Sequence, residues 1–478
     1  MAIKDLHEQL VSKKIGAAEL CKSYLDKIAA SDSEINSYIT VCADGALAQA
    51  EAAQAVIDSG DAGVLCGIPL SVKDNICTMG VKTTCASKIL EDFVPVYNAT
   101  VMEKLNAANA VMLGKTNLDE FAMGGSSQTS YFGGVHNPFD TSRVTGGSSG
   151  GAAASVAAGF CAAALGSDTG GSVRQPAAFC GVTGLKPTYG AVSRYGLIAF
   201  ASGLDQIGVC GDSAEDAALV LDVICGADPS DGTSSARAKG NYTSQIGMSL
   251  SGKKIGIPKE FFSEGIADDV KEAVMKAAEF YKSAGCELVE VSMPSLKYAV
   301  SAYYLISSAE AASNLSRFDG IKYGYRTNDA DSYGELIKKT RSEGFGDEVK
   351  RRILLGNYAL CSGYYDAYYN NASRIRKQII AEYADIFDKC DVILTPTAPT
   401  TAYKIGQQEN DPVKMYLADI CTVTVNIAGL PAISTPCGYG ADGMPIGMSL
   451  VGRAFDEAQL VAFCDAYEKT FERREVKR

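Results

Sequence analysis

Histidine and tryptophan are scarce in this sequence, and basic residues are outnumbered. The chain of 478 residues has two histidines, His7 and His136, and no tryptophan. Two histidines cannot build a histidine-rich metal site, so we expect no metal centre, and a histidine-dependent triad would have to use one of these two.

Lys and Arg number 44 against 56 Asp and Glu, a formal net charge of −12. Since a protein that grips nucleic acid alone normally carries a basic patch, any RNA should be bound mostly by a partner.

The sequence also lacks the marks of an exported or membrane protein. Its 15 cysteines form no Cys-x-x-Cys pattern, which predicts buried, reduced thiols in a cytoplasmic protein. The first residues, MAIKDLHEQLVSKK, have the pattern of an amphipathic helix rather than of a signal peptide. The longest apolar run, Ala152 to Gly166, is short and rich in alanine, so it predicts a buried helix and strand and no membrane span.

The order of the apolar segments predicts one α/β domain over residues 1–478. Hydrophobic residues make up 47% of the chain and charged residues 21%, as in ordinary soluble enzymes. We expect a helical region over about residues 1–60, a helical insertion over about 297–389 packed on the sheet, and strands towards both ends. This arrangement indicates one large mixed β-sheet with helices on both sides. The predicted strands include 67–75, 110–117, 161–172 and 182–190, with DVILTPTAP, GLPAISTPCG and PIGMSLVG near the end.

The densest chemical signal is GGSSGG, residues 146–151, ahead of an alanine-rich segment. Its serines could simply cap a helix. The run also fits Gly-x-Ser-x-Gly, the nucleophile elbow of α/β-hydrolases, but that fold needs its histidine after the serine, and both histidines precede Ser148. A phosphate-binding loop is excluded as well, because no lysine follows GGSSGG and Asn109 stands where a Walker motif with the tail Gly114-Lys115-Thr116 requires glycine.

A second glycine-rich turn, GSDTGGSVR, begins at Gly166. Ser172 follows two glycines at the end of a predicted buried strand, a position that suits a nucleophile. Successive backbone N–H groups in such a turn can converge on one oxygen and stabilise an oxyanion. The alternative is a plain structural turn held by a pair between Asp168 and Arg174, and we expect that pair in either case.

The third signal is Lys73, at the end of the apolar segment PLSVK. A lone lysine is usually a surface residue, but this one follows a predicted buried strand. Burial disfavours the charged form and lowers the pKa of a lysine, which makes it a possible base. Because neither histidine is usable, a serine nucleophile needs another base, and a neutral lysine is the remaining candidate type.

These three signals, in this order and spacing, resemble the amidase signature family. The likeness covers nearly the whole chain and includes VKDN, GKTNLDEFAMG, the run from Gly146 to Gly190, and GLPAISTPCG. It implies the family's fold, a large mixed β-sheet flanked by helices. It also implies Lys73 as the base, Ser148 as a bridging serine on a cis peptide bond, and Ser172 as the acyl-forming nucleophile. The backbone amides that the resemblance implies as the oxyanion hole are those of Thr169, Gly170, Gly171 and Ser172.

Within this family, residues 193–208, 313–326 and 349–360 are most similar to the glutaminase subunits of tRNA-dependent amidotransferases. That likeness implies a glutaminase with no cofactor of its own, which passes ammonia to the B and C subunits of a heterotrimer. It also implies that the B subunit binds most of the misacylated Glu-tRNA(Gln) or Asp-tRNA(Asn), and that the complex uses ATP and Mg²⁺. We expect an exposed apolar surface to dock these partners. The alternatives are a free-standing amidase acting on another amide and a non-catalytic assembly subunit, and the intact Lys73, Ser148 and Ser172 speak against the second.

The same likeness implies how glutamine is recognised. A glutamine site needs a cation for the α-carboxylate and an anion for the α-ammonium group, and the resemblance assigns Arg352 and Asp419 to these roles, with Tyr303 beside them. Arginine can grip a carboxylate with two parallel hydrogen bonds. Without the resemblance, Arg352 would be interpreted as one of several solvated charges in a Lys-Arg-Arg run. Gln128 stands where we expect glutamate in many relatives.

Overall fold

The computed structural model describes residues 1–263, 265–407, 412–474 and 476. The helices are α1 (Ile3–Val11), α2 (Ala17–Ile35), α3 (Ala43–Ser59), α4 (Thr100–Ala107), α5 (Gly150–Ala157), α6 (Arg174–Phe179), α7 (Ala214–Ile224), α8 (Asp268–Ser283), α9 (Leu296–Asn314), α10 (Tyr333–Gly344), α11 (Asp347–Leu360), α12 (Asn371–Phe387), α13 (Pro412–Leu417), α14 (Val423–Ala428) and α15 (Glu457–Glu468). The strands are β1 (Tyr38–Val41), β2 (Pro69–Lys73), β3 (Val111–Thr116), β4 (His136–Asn137), β5 (Asp140–Val144), β6 (Ala163–Asp168), β7 (Thr183–Lys186), β8 (Gln206–Gly211), β9 (Lys254–Pro258), β10 (Glu287–Val291), β11 (Val392–Pro396), β12 (Ala432–Tyr439) and β13 (Pro445–Val451).

One mixed sheet of 11 strands organises the described part of the chain. Its strand order is β1-β3-β2-β6-β8-β7-β12-β13-β11-β9-β10, and β4 and β5 form a separate hairpin. Strands β3, β2 and β6 run parallel, whereas β8, β7, β12 and β13 pair antiparallel with their neighbours. Strands β2, β6 and β8 are buried along their whole length, as expected for strands in the middle of a covered sheet. The predicted fold class, a large mixed sheet with helices, is confirmed.

The sequence missed two strands of this sheet for identifiable reasons. Strand β1 interrupts the region predicted as helical over 1–60, because the short aromatic and β-branched run YITV pairs antiparallel with β3. Strand β8 was missed because its glycines weaken the pattern of a strand. The structure shows why one of them is needed: a Cβ added at Gly208 would lie 2.6 Å from the Leu185 carbonyl oxygen on β7.

Close packing also determines where α5 lies. This helix follows the serines of GGSSGG and begins with two glycines. A Cβ added at Gly151 would lie 2.5 Å from the carbonyl oxygen of Ser37 and would also collide with the backbone of Asn117. Glycine at this position therefore lets the start of α5 approach the edge of the sheet closely, and this brings the preceding serines towards the end of β2.

The remaining expectations concern thiols, membrane spans and metals. All 15 cysteines are free and nearly all are buried or half-buried, as predicted, with Cys361 as the exposed exception. Within the described ranges, no helix is long and apolar enough to cross a bilayer. In the same ranges, no group of three or more His, Cys, Asp or Glu side chains is placed to hold a metal ion.

Candidate active site

Parallel pairing of β2 with β6 brings Lys73 beside the turn that follows β6. Lys73 is the last residue of β2 and is completely buried. Because the carboxyl ends of parallel neighbours meet at one edge of the sheet, its side chain reaches the residues around that turn. The Lys73 Nζ lies 2.8 Å from Ser148 Oγ, 2.8 Å from Ser149 Oγ and 2.9 Å from Ser167 Oγ. The structure thus places the predicted base in hydrogen-bond contact with the predicted bridging serine.

Burial changes the protonation of this lysine. Desolvation lowers the pKa of Lys73 to about 7, although the nearby carboxylates of Asp119 and Asp168 oppose part of that shift. Near neutral pH, a large fraction of Lys73 is therefore the neutral amine, which can accept a proton. The burial predicted from the sequence is confirmed, and the role of Lys73 as a base stays a prediction.

Backbone amides of the first glycine-rich segment donate to the second segment and to the helix α6 that follows it. The Gly147–Ser148 peptide bond is cis, as the resemblance implied. The Gly147 amide donates to Gln175 Oε1 at 3.0 Å, and the Ser149 amide donates to the Ser172 carbonyl oxygen at 3.0 Å. Ser148 is completely buried, whereas Ser172 keeps 7% of its surface exposed. The predicted nucleophile is thus the more accessible of the two predicted catalytic serines.

The buried ion pair expected between Asp168 and Arg174 is present. Arg174 Nη2 lies 3.0 Å from Asp168 Oδ1, and Arg174 Nε lies 3.1 Å from Asp168 Oδ2. Asn426 Nδ2 donates to Asp168 Oδ1 at 2.9 Å. Burial alone would raise the pKa of Asp168, but the charge and hydrogen bonds of Arg174 outweigh it and hold that pKa well below its ordinary value. The ionised carboxylate anchors the turn, because the Gly171 amide donates to Oδ1 at 2.8 Å.

This anchoring bears on the predicted oxyanion hole. The Gly171 amide is committed to the aspartate, whereas the amides of Thr169, Gly170 and Ser172 have no acceptor in the part of the chain that the structure describes. Three of the four amides implied by the resemblance are therefore available to a ligand. Gly171 has a φ of +137°, and a Cβ at this position would collide with Thr422, so the turn requires glycine there.

Helix α11 brings a buried arginine to the same region. Arg352 is 2% exposed, and its Nε donates at 2.6 Å to Oε1 of Glu348, one turn earlier. The guanidinium carbon lies 4.3 Å from the ring centroid of Tyr304 and 4.9 Å from that of Tyr416. Its Nη1 is buried without a hydrogen-bond partner among the described residues. This burial excludes the alternative of a solvated surface charge, and the unpartnered N–H is a donor for an anionic ligand.

Tyr304 links this arginine to Asp419. The Tyr304 hydroxyl donates to Asp419 Oδ2 at 2.6 Å. Burial raises the pKa of Asp419 to about 7, partly opposed by that hydrogen bond and by the charge of Arg352. The neighbouring Tyr303 packs its ring directly on Gly170 in the turn after β6. The three predicted glutamine-binding residues therefore belong to one network of contacts with the glycine-rich turn.

The sequence model of the family described as Amidase matches residues 19–461. The chain belongs to the amidase family. The A subunit of glutamyl-tRNA(Gln) amidotransferase from Ruminiclostridium cellulolyticum is 56% identical over 472 residues, which cover 98% of this chain and 97% of that protein. The protein of the same name from Methylobacillus flagellatus is 52% identical over 472 residues, covering 98% of this chain and 96% of that one.

Solved structures of the amidase family agree with this assignment. The A subunit of glutamyl-tRNA(Gln) amidotransferase from Thermotoga maritima superimposes with a TM-score of 0.79 at 41% identity, covering 95% of this chain and 91% of that chain. The native peptide amidase from Stenotrophomonas maltophilia superimposes with a TM-score of 0.83 at 29% identity, covering 99% of this chain and 98% of that chain. The resemblance to the amidase signature family and the fold it implied are confirmed.

Three residues of this amidase-family site were not predicted from the sequence. Tyr304 carries the link between Arg352 and Asp419, and its only sequence signal is its position beside Tyr303. Glu348 precedes Arg352 by one helical turn, so an i,i+4 pair of opposite charges was a readable signal. Gln175 had no such signal, because its partner Gly147 is distant in the sequence and reaches it only through the fold.

Gln128, which departs from the residue expected in relatives, has a local structural explanation. Its Nε2 donates to the Val135 carbonyl oxygen at 2.8 Å. An ionised glutamate has no N–H and could not make that bond. Gln128 also lines a cavity of about 250 Å³ together with Glu348 and Arg351. The glutamine thus satisfies a backbone carbonyl at the rim of a cavity that touches the arginine helix.

Proposed function

We propose that this chain is the glutaminase subunit of a tRNA-dependent amidotransferase. The observation that carries the proposal is the contact of Arg352 and Asp419 through Tyr304, beside the turn that holds Ser172. A buried cation whose Nη1 has no partner among the described residues, together with a half-buried carboxylate, matches the two charged groups of a free amino acid. The names of relatives more than half identical to this chain support the same function.

The proposed reaction uses the lysine and the two serines in sequence. Neutral Lys73 takes the proton of Ser148, and Ser148 takes that of Ser172, whose Oγ attacks the side-chain amide carbon of glutamine. The available amides of the turn bind the oxyanion. Ser148 then returns a proton to the departing nitrogen, the carbon–nitrogen bond breaks and ammonia leaves. Water hydrolyses the resulting ester, releasing glutamate and restoring Ser172.

The ammonia needs a partner that receives it. Protonation in bulk water ends its nucleophilicity, so we propose transfer to the B and C subunits of a heterotrimer. The B subunit binds most of the misacylated tRNA, and ATP and Mg²⁺ are used by the complex rather than held by this chain. We place the reaction in the cytoplasm, which the buried free thiols support.

Exposed apolar side chains are present on α11 and just after it, as the partner proposal requires. Leu354 is 70% exposed, and the rings of Tyr358 and Tyr364 stack at 4.4 Å near the surface. Arg352 lies on the same helix but is buried. Helix α11 thus joins the proposed glutamine site to an apolar surface.

The test compares this chain alone with this chain co-purified with B and C subunits. Glutamate release from glutamine and conversion of Glu-tRNA(Gln) to Gln-tRNA(Gln) with ATP are measured in parallel. We expect glutamine-dependent amidation of tRNA only in the complex. Efficient hydrolysis of unrelated amides by the isolated chain, with no amidation in the complex, would instead identify a free-standing amidase.

A further inference from the structure

The oxygen and the nitrogen of the Gln175 side-chain amide differ in their hydrogen bonding. Its Oε1 accepts the hydrogen bond from the Gly147 amide at 3.0 Å. Its Nε2 is buried and has no hydrogen-bond partner among the described residues. Because the Gly147 N–H must face an acceptor, this contact settles the orientation of the amide and leaves two N–H donors unpaired. A buried unpaired donor is costly, so a ligand that accepts from it gains that free energy back.

Gly125 lies close to this unpaired donor and to Asp419. A Cβ added at Gly125 would lie 3.9 Å from Gln175 Nε2 and 3.9 Å from Asp419 Oδ1. Because Gly125 has no side chain, the space at this point is open, and it lies between a hydrogen-bond donor and a carboxylate. In an amino acid, the α-carboxylate and the α-ammonium group are attached to one carbon, so they match such a donor and acceptor.

We propose that Gln175 is a specificity-determining residue that donates from Nε2 to the α-carboxylate of glutamine. The proposal rests on the proposed glutaminase function and deepens it. Arg352 Nη1, which also has no hydrogen-bond partner within the described ranges, binds the same carboxylate, and Asp419 receives the α-ammonium group. Since Gln175 also holds the amide of Gly147, it connects recognition of the amino-acid end to the backbone that carries Ser148.

The decisive measurement compares two substrates that differ only in the α-carboxylate. Glutamine carries it, and 4-aminobutanamide lacks it while keeping the ammonium group and the reacting amide. Gln175→Glu keeps an acceptor for the Gly147 amide but replaces the N–H donor with an oxygen. The assay uses the complete complex at pH 8, so that the new carboxyl group is ionised and has no proton to donate. We expect kcat/KM for glutamine to fall roughly 10- to 100-fold relative to kcat/KM for 4-aminobutanamide.

A structural role alone would move both substrates together, so an unchanged ratio overturns the proposal. Gly125→Ala provides a second variant, because the added methyl group makes only ordinary contacts in the free protein but fills the space between the donor and the carboxylate. We expect it to raise KM for glutamine with normal folding, whereas Gly45→Ala, in open space on α3, should change nothing. A Gly125→Ala enzyme with the wild-type KM would also overturn the proposal.

The same measurements distinguish a failure of the glutaminase assignment from a failure of the role proposed for Gln175. If the wild-type complex releases no glutamate from glutamine, the glutaminase assignment itself is wrong. If the wild-type complex is active and Gln175→Glu keeps the wild-type ratio of the two substrates, only the role of Gln175 is wrong.

Discussion

The Nζ of Lys73 lies 2.8 Å from the Oγ of Ser148, and both side chains are completely buried. Burial lowers the pKa of Lys73 to about 7. The proposed proton transfer from Ser148 to Lys73 therefore suits a pH near neutral and needs no histidine. This contact is the basis for the first two predictions.

Replacing Lys73 tests whether this residue acts as a base or only supplies a positive charge. Lys73→Arg keeps the positive charge, but arginine does not deprotonate in proteins, so it should be nearly as inactive as Lys73→Ala. General-base assistance is worth on the order of 10²–10⁴-fold, and we expect a loss of that size in glutamine hydrolysis. The wild-type kcat/KM should rise with pH through about 7, because deprotonation produces the active amine. An active Lys73→Arg variant with a flat pH profile would contradict this mechanism; circular dichroism controls for folding.

The two serines should fail differently. Ser172→Ala removes the nucleophile, so glutamine hydrolysis should vanish and no acyl-enzyme should form. Ser148→Ala leaves the nucleophile but breaks the proton path, so slow acylation should remain detectable by mass spectrometry after incubation with glutamine. Ser155→Ala is the matched control, because Ser155 is as buried as Ser148 and, among the described residues, its hydroxyl contacts only the Ala152 carbonyl oxygen and the thiol of Cys161. Acyl-enzyme in Ser172→Ala would refute the assignment of the nucleophile.

Arg352 and its neighbour Arg351 form a matched pair on α11. Arg352 is buried in the tyrosine network, whereas the Arg351 side chain is 46% exposed. Arg352→Ala should raise KM for glutamine by roughly 10- to 100-fold, since a charged hydrogen bond is lost. Amidation driven by added ammonium salt should stay nearly intact. Arg351→Ala should change either reaction little, and an equal loss of both reactions in Arg352→Ala would show that the arginine does not bind substrate.

Tyr304→Phe should alter the pH dependence through Asp419. The hydroxyl of Tyr304 stabilises the Asp419 carboxylate, so its removal raises the pKa of Asp419 further above about 7. The ionised fraction of Asp419 then falls near neutral pH, and binding of the α-ammonium group weakens. We expect kcat/KM for glutamine to fall most below pH 7 and to recover as the pH rises. A deficit that is constant from pH 6 to 8.5 would show that this hydrogen bond does not control the titration.

The isolated chain should bind tRNA weakly. Its formal net charge is −12, and nucleic-acid affinity depends largely on cations that neutralise phosphates. A gel-shift titration at moderate salt should therefore show no sub-micromolar complex with the chain alone and a clear complex with the assembled subunits. Tight binding by the chain alone would contradict the assignment of tRNA to a partner.

Much of the fold was predictable because its strongest elements carry local signals. The buried strands β2, β3 and β6 are apolar over most of their length, and α8 has clear helical periodicity. Strand β8 was not predictable, because the need for glycine in it arises only from its packing beside β7. A side chain at Gly208 would collide with the Leu185 carbonyl oxygen. A requirement set by a neighbouring strand leaves no periodic pattern in the sequence.

The sequence by itself determined the chemistry available to this protein: the three candidate catalytic side chains, the glycine-rich turn, and the near absence of histidine. Tertiary structure alone decided which groups are free to act. The Gly171 amide is committed to Asp168, while Arg352 Nη1 and Gln175 Nε2 are buried without partners among the described residues. The physical reason is that a donor is occupied only if an acceptor lies within hydrogen-bond distance. Segments far apart in sequence, such as those carrying Gly147 and Gln175, meet only when the sheet is formed.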